Sequence, residues 1–100
     1  MNIAIKHSNN ILTVTLEGTL DYAASAQMES LISDLKAIRT DRVVFELSQV
    51  PRVDSVGLGM LHLAKDVIFE AGSKLTLRGA AGSVLRLFEL TDSARSFDIE

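Results

Sequence analysis

The hydrophobic period switches repeatedly along this chain, and the order of the switches restricts the fold more than any single motif does. Alternation marks a half-covered strand, and an apolar residue every third or fourth position marks a helix. In "NIAIKH", Ile3 and Ile5 share one face. "SNN" at 8–10 is a turn, and "ILTVTLEG" then sets Leu12, Val14 and Leu16 against Thr13, Thr15 and Glu17. Two such runs around a short turn predict an antiparallel hairpin. From Ala23 to Ile38 the period is helical, with Ala24, Met28, Leu31, Ile32, Leu35 and Ile38 on one face. "RVVFELS" at 42–48 returns to a strand, with Val43, Phe45 and Leu47 inward. A second helix is predicted over 55–71, with Gly72 as its stop. "KLTLRG" follows as a strand, and "GSVLRLFELT" as a third helix with Ser83 as a candidate cap. "SFDIE" is a candidate last short strand.

The predicted order is therefore β-β-α-β-α-β-α with an optional final β. Strands separated by helices favour parallel neighbours joined by right-handed crossovers. Strands covered on both faces read as continuous apolar runs, whereas most of these alternate. The expected class is α/β: a mixed sheet of four to five strands with helices packed mainly on one face.

Composition limits what such a fold does. One hundred residues, 47% of them apolar, suit a single domain over 1–100 with a sizeable core. The net charge is −3 and the basic residues are scattered, so no nucleic-acid footprint stands out. There is no cysteine, and His7 and His62 lack ligand-like spacing, so neither thiol chemistry nor a metal site is expected. The first residues lack the apolar stretch of a signal peptide, and no run approaches the ~20 apolar residues of a membrane span. A cytoplasmic location without membrane insertion is expected.

The stretch that carries chemistry is "PRVDSVGLGML" at 51–61. Ser55, at the predicted helix start, admits two readings. One is helix capping shared with Asp54, with Gly57 and Gly59 allowing close packing. The other is a modifiable hydroxyl. A helix N-terminus offers unpaired N–H groups and a partial positive charge, so a phosphate on Ser55 finds donors there. Gly57 then leaves room for an approaching enzyme. The phosphate adds nearly two negative charges to the surface. Placed at about 100° per residue, Val56, Met60, Leu63, Ala64, Val67 and Ala71 gather on the side expected to face the core. Ser55, Leu58, Gly59, His62, Asp66 and Phe69 gather on the other. Leu58 and Phe69 on that outer side suggest a docking surface, although single exposed apolar residues are common. His62 reads as a solvated surface residue. "GLG" lacks the third glycine of a dinucleotide loop, and no P-loop lysine is present. Neither a G-x-S-x-G elbow nor an evident base accompanies Ser55, so no catalytic residue and no cofactor are expected.

The same residues resemble a known family. "DSVGLGML" at 54–61 is similar to the D-S-x-G-L-G-x-L signature of STAS domains, in particular the stand-alone bacterial anti-sigma factor antagonists. "LEGTLDYAAS" at 16–25 resembles the family's G-x-L-D turn, and "LRLFELT" at 85–91 its R-L-F-x-x-T/S helix. The chain departs from the pattern at Val56, where many members carry Ser or Thr. The resemblance implies a regulatory binding protein and not an enzyme. Such proteins, unphosphorylated, bind an anti-sigma factor that is commonly a serine kinase of the GHKL type. That kinase phosphorylates the serine after the aspartate, here Ser55, and a metal-dependent serine phosphatase restores the active form. Asp21 and Asp54 fall on the family's two motif aspartates and are expected near the binding surface, together with Gly57, Leu58, His62 and Phe69. An alternative remains open: a constitutive STAS subunit of a larger assembly, such as a lipid-transport ATPase complex. The intact Asp54–Ser55 pair favours the switch.

Overall fold

Asn9 and Asn10 both take positive φ, 50° and 65°. Two central residues of that kind make a type I′ turn, whose twist matches the strands it joins. The turn links β1 (Asn2–Ser8) to β2 (Ile11–Glu17) in an antiparallel hairpin with Ser8 opposite Ile11. The computed structural model describes residues 1–100. In it, β3 (Arg42–Gln49), β4 (Lys74–Arg78) and β5 (Asp98–Ile99) extend the hairpin into one sheet of order β1-β2-β3-β4-β5. From β2 onward all pairs are parallel. A 3-10 turn (Tyr22–Ala24) and α1 (Ser25–Leu35) connect β2 to β3. Helix α2 (Ser55–Glu70) connects β3 to β4, and α3 (Gly82–Leu90) with α4 (Ser93–Ser96) connects β4 to β5.

The mixed α/β sheet is the one the periodicity predicts, with differences at the ends of elements. The first helix is shorter than 23–38: it opens as the 3-10 turn and closes at Leu35, where i→i+3 bonds from Lys36, Ala37 and Ile38 tighten the chain. Ser83 does not cap α3. Ala81 holds that position, and the Ser83 hydroxyl donates to the Pro51 carbonyl at 3.1 Å. The four-residue α4 was not expected.

Val14, Leu16, Phe45 and Leu77 project from one face of the sheet and are completely buried under the helices, among Met28, Leu61, Ile68 and Phe88. No helix covers the other face, yet Val44 on it is only 3% exposed. Charged side chains lie around it. Arg78 pairs with Glu46 at 2.7 Å, and Arg42 bridges Thr76 and Glu100 at 3.1 and 2.8 Å. Thr76 in turn donates to Asp98 at 2.8 Å.

The core face of α2 differs from the expectation. Gly57, Met60, Leu61, Ala64 and Ile68 are buried, a clean i, i+3, i+4, i+7 pattern. Val56 and Leu63, expected inside, are 41% and 50% exposed. The helix is turned so that Leu61 and Ile68 take the places assigned to them.

Candidate functional site

The parallel strands β2, β3 and β4 all end at one edge of the sheet, so the segments that follow them meet there. The first two are joined by backbone hydrogen bonds. Gly18 N–H donates to Gln49 C=O at 3.0 Å, and Leu20 N–H to Arg52 C=O at 2.9 Å. Asp54 N–H returns a bond to Leu20 C=O at 3.2 Å, and Leu20 and Val53 form an isolated parallel bridge. Asp21 is therefore placed one residue beyond the carbonyl that Asp54 touches. The hydroxyl of Ser83 ties the start of α3 to the same loop.

Asp54 is the cap of α2. Its backbone is extended (φ −97°, ψ −174°), and its Oδ1 accepts from Gly57 N–H at 2.8 Å. Its carbonyl takes the first helical bond, from Leu58 N–H at 2.8 Å. A carboxylate here also complements the positive end of the helix dipole. Ser55 is the first helical residue, exposed, and takes no part in the cap. The sharing of the cap between Asp54 and Ser55, one of the two readings of the sequence, is thus corrected: Asp54 does it alone. The N–H groups of Ser55 and Val56 have no partner in the chain, as expected for the first turn of a helix.

Gly57 faces inward. A Cβ built on it lies 2.1 Å from the Leu20 carbonyl oxygen, whereas one built on Gly59 meets nothing within 4 Å. The open glycine is thus Gly59, and Gly57 is the residue that lets α2 close on the β2–α1 loop. Asp21 performs the same local job as Asp54: its Oδ1 accepts from Ala23 N–H at 3.0 Å and caps the 3-10 turn.

The expected outer face of α2 does not form one surface. Ser55 and Phe69 are exposed, the latter by 69%. Leu58 is half-buried against the core. His62 is not solvated as expected. Its ring lies 4.6 Å from that of Phe97, and its Nε2 is 3.5 Å from the Ser93 hydroxyl. The chain after α3 returns across this part of the helix. The exposed apolar residues near the helix start are instead Val56 and Tyr22, the latter 77% exposed. Two turns further along, Leu63 and Val67 line a groove against Glu29 and Ser33 of α1 and Lys36 at its C-terminal cap. The i, i+4, i+7 series from Gly57 (Gly57, Leu61, Ala64) is the buried one, and Val56, Leu63 and Val67 lie outside it.

The sequence model of the STAS domain matches residues 2–100. No curated protein matches the sequence. Among solved structures, an anti-sigma factor antagonist from Mycobacterium paratuberculosis superposes with a TM-score of 0.86 at 19% identity, over 98% of this chain and 83% of that one. RsbS of Moorella thermoacetica, with a serine-to-glutamate substitution, gives 0.79 at 20% identity, over 100% and 86%. The Bacillus cell-fate determinant SpoIIAA in its phosphorylated form gives 0.73 at 14% identity, over 99% and 91%. At these identities the likeness establishes the fold.

Proposed function

Starting from a chain that belongs to the STAS-domain family, we propose a phosphorylation-switched binding protein of the anti-sigma-factor-antagonist kind. With Ser55 unmodified it binds a serine-kinase partner of the GHKL type. Phosphate on Ser55 ends that binding, and a metal-dependent serine phosphatase restores it. The observation that carries this reading is the division of labour at the start of α2. Asp54 holds the cap, so the exposed hydroxyl of Ser55 is free to be modified without loss of the helix terminus.

The physical consequence of modification is local. A phosphate on Ser55 finds the unclaimed N–H groups of the first turn and the favourable end of the helix dipole. It adds nearly two negative charges beside Asp54 and Asp21, next to the apolar side chains of Val56 and Tyr22. A partner that docks there has to desolvate that charge. A loss of ~3 kcal/mol weakens binding about a hundredfold.

Mass spectrometry of the protein after incubation with its kinase and ATP is expected to place phosphate on Ser55. Phosphate on another residue, with Ser55 unmodified, would sink the reading. Titration calorimetry then gives the second arm. Ser55→Ala is expected to bind as wild type does and to resist inactivation. Ser55→Asp should bind more weakly than wild type and more strongly than the phosphorylated protein. Equal affinity for all of these forms would favour the constitutive-subunit alternative.

A further inference from the structure

The outer edge of β1 is open. Residues flanking a two-residue hairpin turn form a hydrogen-bonded pair, and such pairs recur at every second position. Counting from Ser8–Ile11, the pairs Lys6–Thr13, Ala4–Thr15 and Asn2–Glu17 are of this kind. The N–H and C=O groups of Ile3, Ile5 and His7 therefore point away from β2, along the edge of the sheet. Natural edges are usually blunted by proline, bulges, short length or several charges. Seven residues long, β1 contains no proline, runs in unbroken register with β2, and has Lys6 as its one charged side chain. Ile5 pairs with the fully buried Val14 and so lies on the helix-bearing face, yet it is 55% exposed. The helix layer stops short of it.

We propose that β1 pairs antiparallel with β1 of a second copy of this chain, about a two-fold axis at Ile5, to form a continuous ten-stranded sheet. The edge is self-complementary in that register. Ile5 meets Ile5 of the second copy, and Ile3 meets His7 in both directions. Each outward N–H and C=O then finds a partner. Moving the axis to Ala4 or Lys6 leaves some of them unpaired, and an axis at Lys6 also sets two ammonium groups opposite each other. With the axis at Ile5, Lys6 faces Ala4, so no like charges oppose. The two Ile5 side chains cover each other on the helix-bearing side.

The opposite edge decides between a closed pair and a growing fibre. There β5 has only two residues, Asp98 and Ile99, and cannot serve as a matching template. Contact of β1 with β1 is isologous and closes after two copies. A seven-residue strand is only ~24 Å long, and its edge contact falls below the ~1,200–2,000 Å² of stable interfaces. The dimer is therefore reversible and concentration-dependent.

Sedimentation equilibrium of the full chain should show the mass rising from monomer toward dimer with concentration. Ile5→Lys places two charges directly opposite and should weaken association by about tenfold or more, with circular dichroism confirming the fold. Ile5→Pro is the second variant: it removes an outward N–H and none of the bonds to β2. Amide exchange reads the register. The Ile3, Ile5 and His7 amides should gain protection as concentration rises, while those of Ala4 and Lys6 are protected throughout. A mass that stays monomeric at every concentration would overturn the proposal. So would a dimer that persists in folded Ile5→Lys or Ile5→Pro, or a dimer that leaves the Ile5 amide unprotected. Pairing of β1 with a foreign extended peptide and never with itself would overturn it as well.

Discussion

A methyl group at position 57 would sit 2.1 Å from the Leu20 carbonyl oxygen, a backbone atom fixed by its own bond to Asp54. Something has to move, and overpacking of this kind costs about 1–3 kcal/mol. Gly57→Ala should therefore lower the denaturation midpoint clearly. Two residues on, Gly59→Ala meets open space within the same helix. It should stabilise by about 0.5–1 kcal/mol, because alanine loses less backbone entropy than glycine. Urea titrations of the two variants test the pair, and shifts of the same sign would refute the argument. Asp21 needs a different design, because it caps the 3-10 turn. Asp21→Ala is expected to cost about 0.5–2 kcal/mol through the lost cap. Asp21→Asn retains an acceptor, so it should leave stability nearly unchanged while removing the charge. If only the alanine variant loses partner binding, the role of Asp21 is structural.

The polar face of the sheet responds to acid. Burial pushes the Glu46 carboxyl up, but hydrogen bonds from Arg78 and Ser48, with the Arg78 charge, bring it below its ordinary value. The Thr76 hydroxyl, helped by the charges of Lys74 and Arg42, does the same for Asp98 against a smaller effect of burial. A carboxyl whose folded value is depressed stabilises the fold above its unfolded value. That stability is lost as pH falls through the folded value. Stability should thus be level near neutrality and decline below the ordinary carboxylate range of about 4. Glu46→Gln should flatten part of that decline in urea titrations at stepped pH, and an unchanged acid limb would exclude Glu46 as a source. The elements themselves show what was legible. Alternation in β2 and β3 was enough to place Val14, Leu16 and Phe45 inside. In α2 the reading of the face failed, because Val56, Leu58, Leu63, Val67 and Phe69 leave the helix apolar almost all round. The contact that fixes its rotation, Gly57 on Leu20, joins residues far apart in the chain. His62 was misread for a similar reason: Phe97, which packs on it, comes from the other side of the third helix. The closeness of Asp21 and Asp54 was legible because both follow strands that end at one edge. Which residue capped α2 was not, since aspartate and serine cap about equally well.

Across the whole molecule, Ser55 and Phe69 mark the two ends of α2, fourteen residues apart, or ~21 Å at the rise of a helix. The domain measures 32 Å along its longest axis, so this separation is large on the scale of the molecule. Phe69→Ala should change stability by no more than ~0.5 kcal/mol, as is usual for an exposed side chain. If the proposed kinase partner reaches along α2, the same variant weakens its binding in titration calorimetry. Unchanged affinity would confine the partner's footprint to the Ser55 end. The strand order has a consequence of another kind. Neighbours in the sheet are neighbours in the chain from β1 to β5, so no strand has to be inserted between two that are already paired. That order permits each strand emerging from the ribosome to extend an edge that is already there. The hairpin is the seed, and each later crossover is a step of growth. Because closure entropy grows only slowly with loop length, the successive crossovers differ little in that cost. On such a route β5, a two-residue strand at the outer edge, is the last addition, and its amides are expected to exchange before those of β2 and β3.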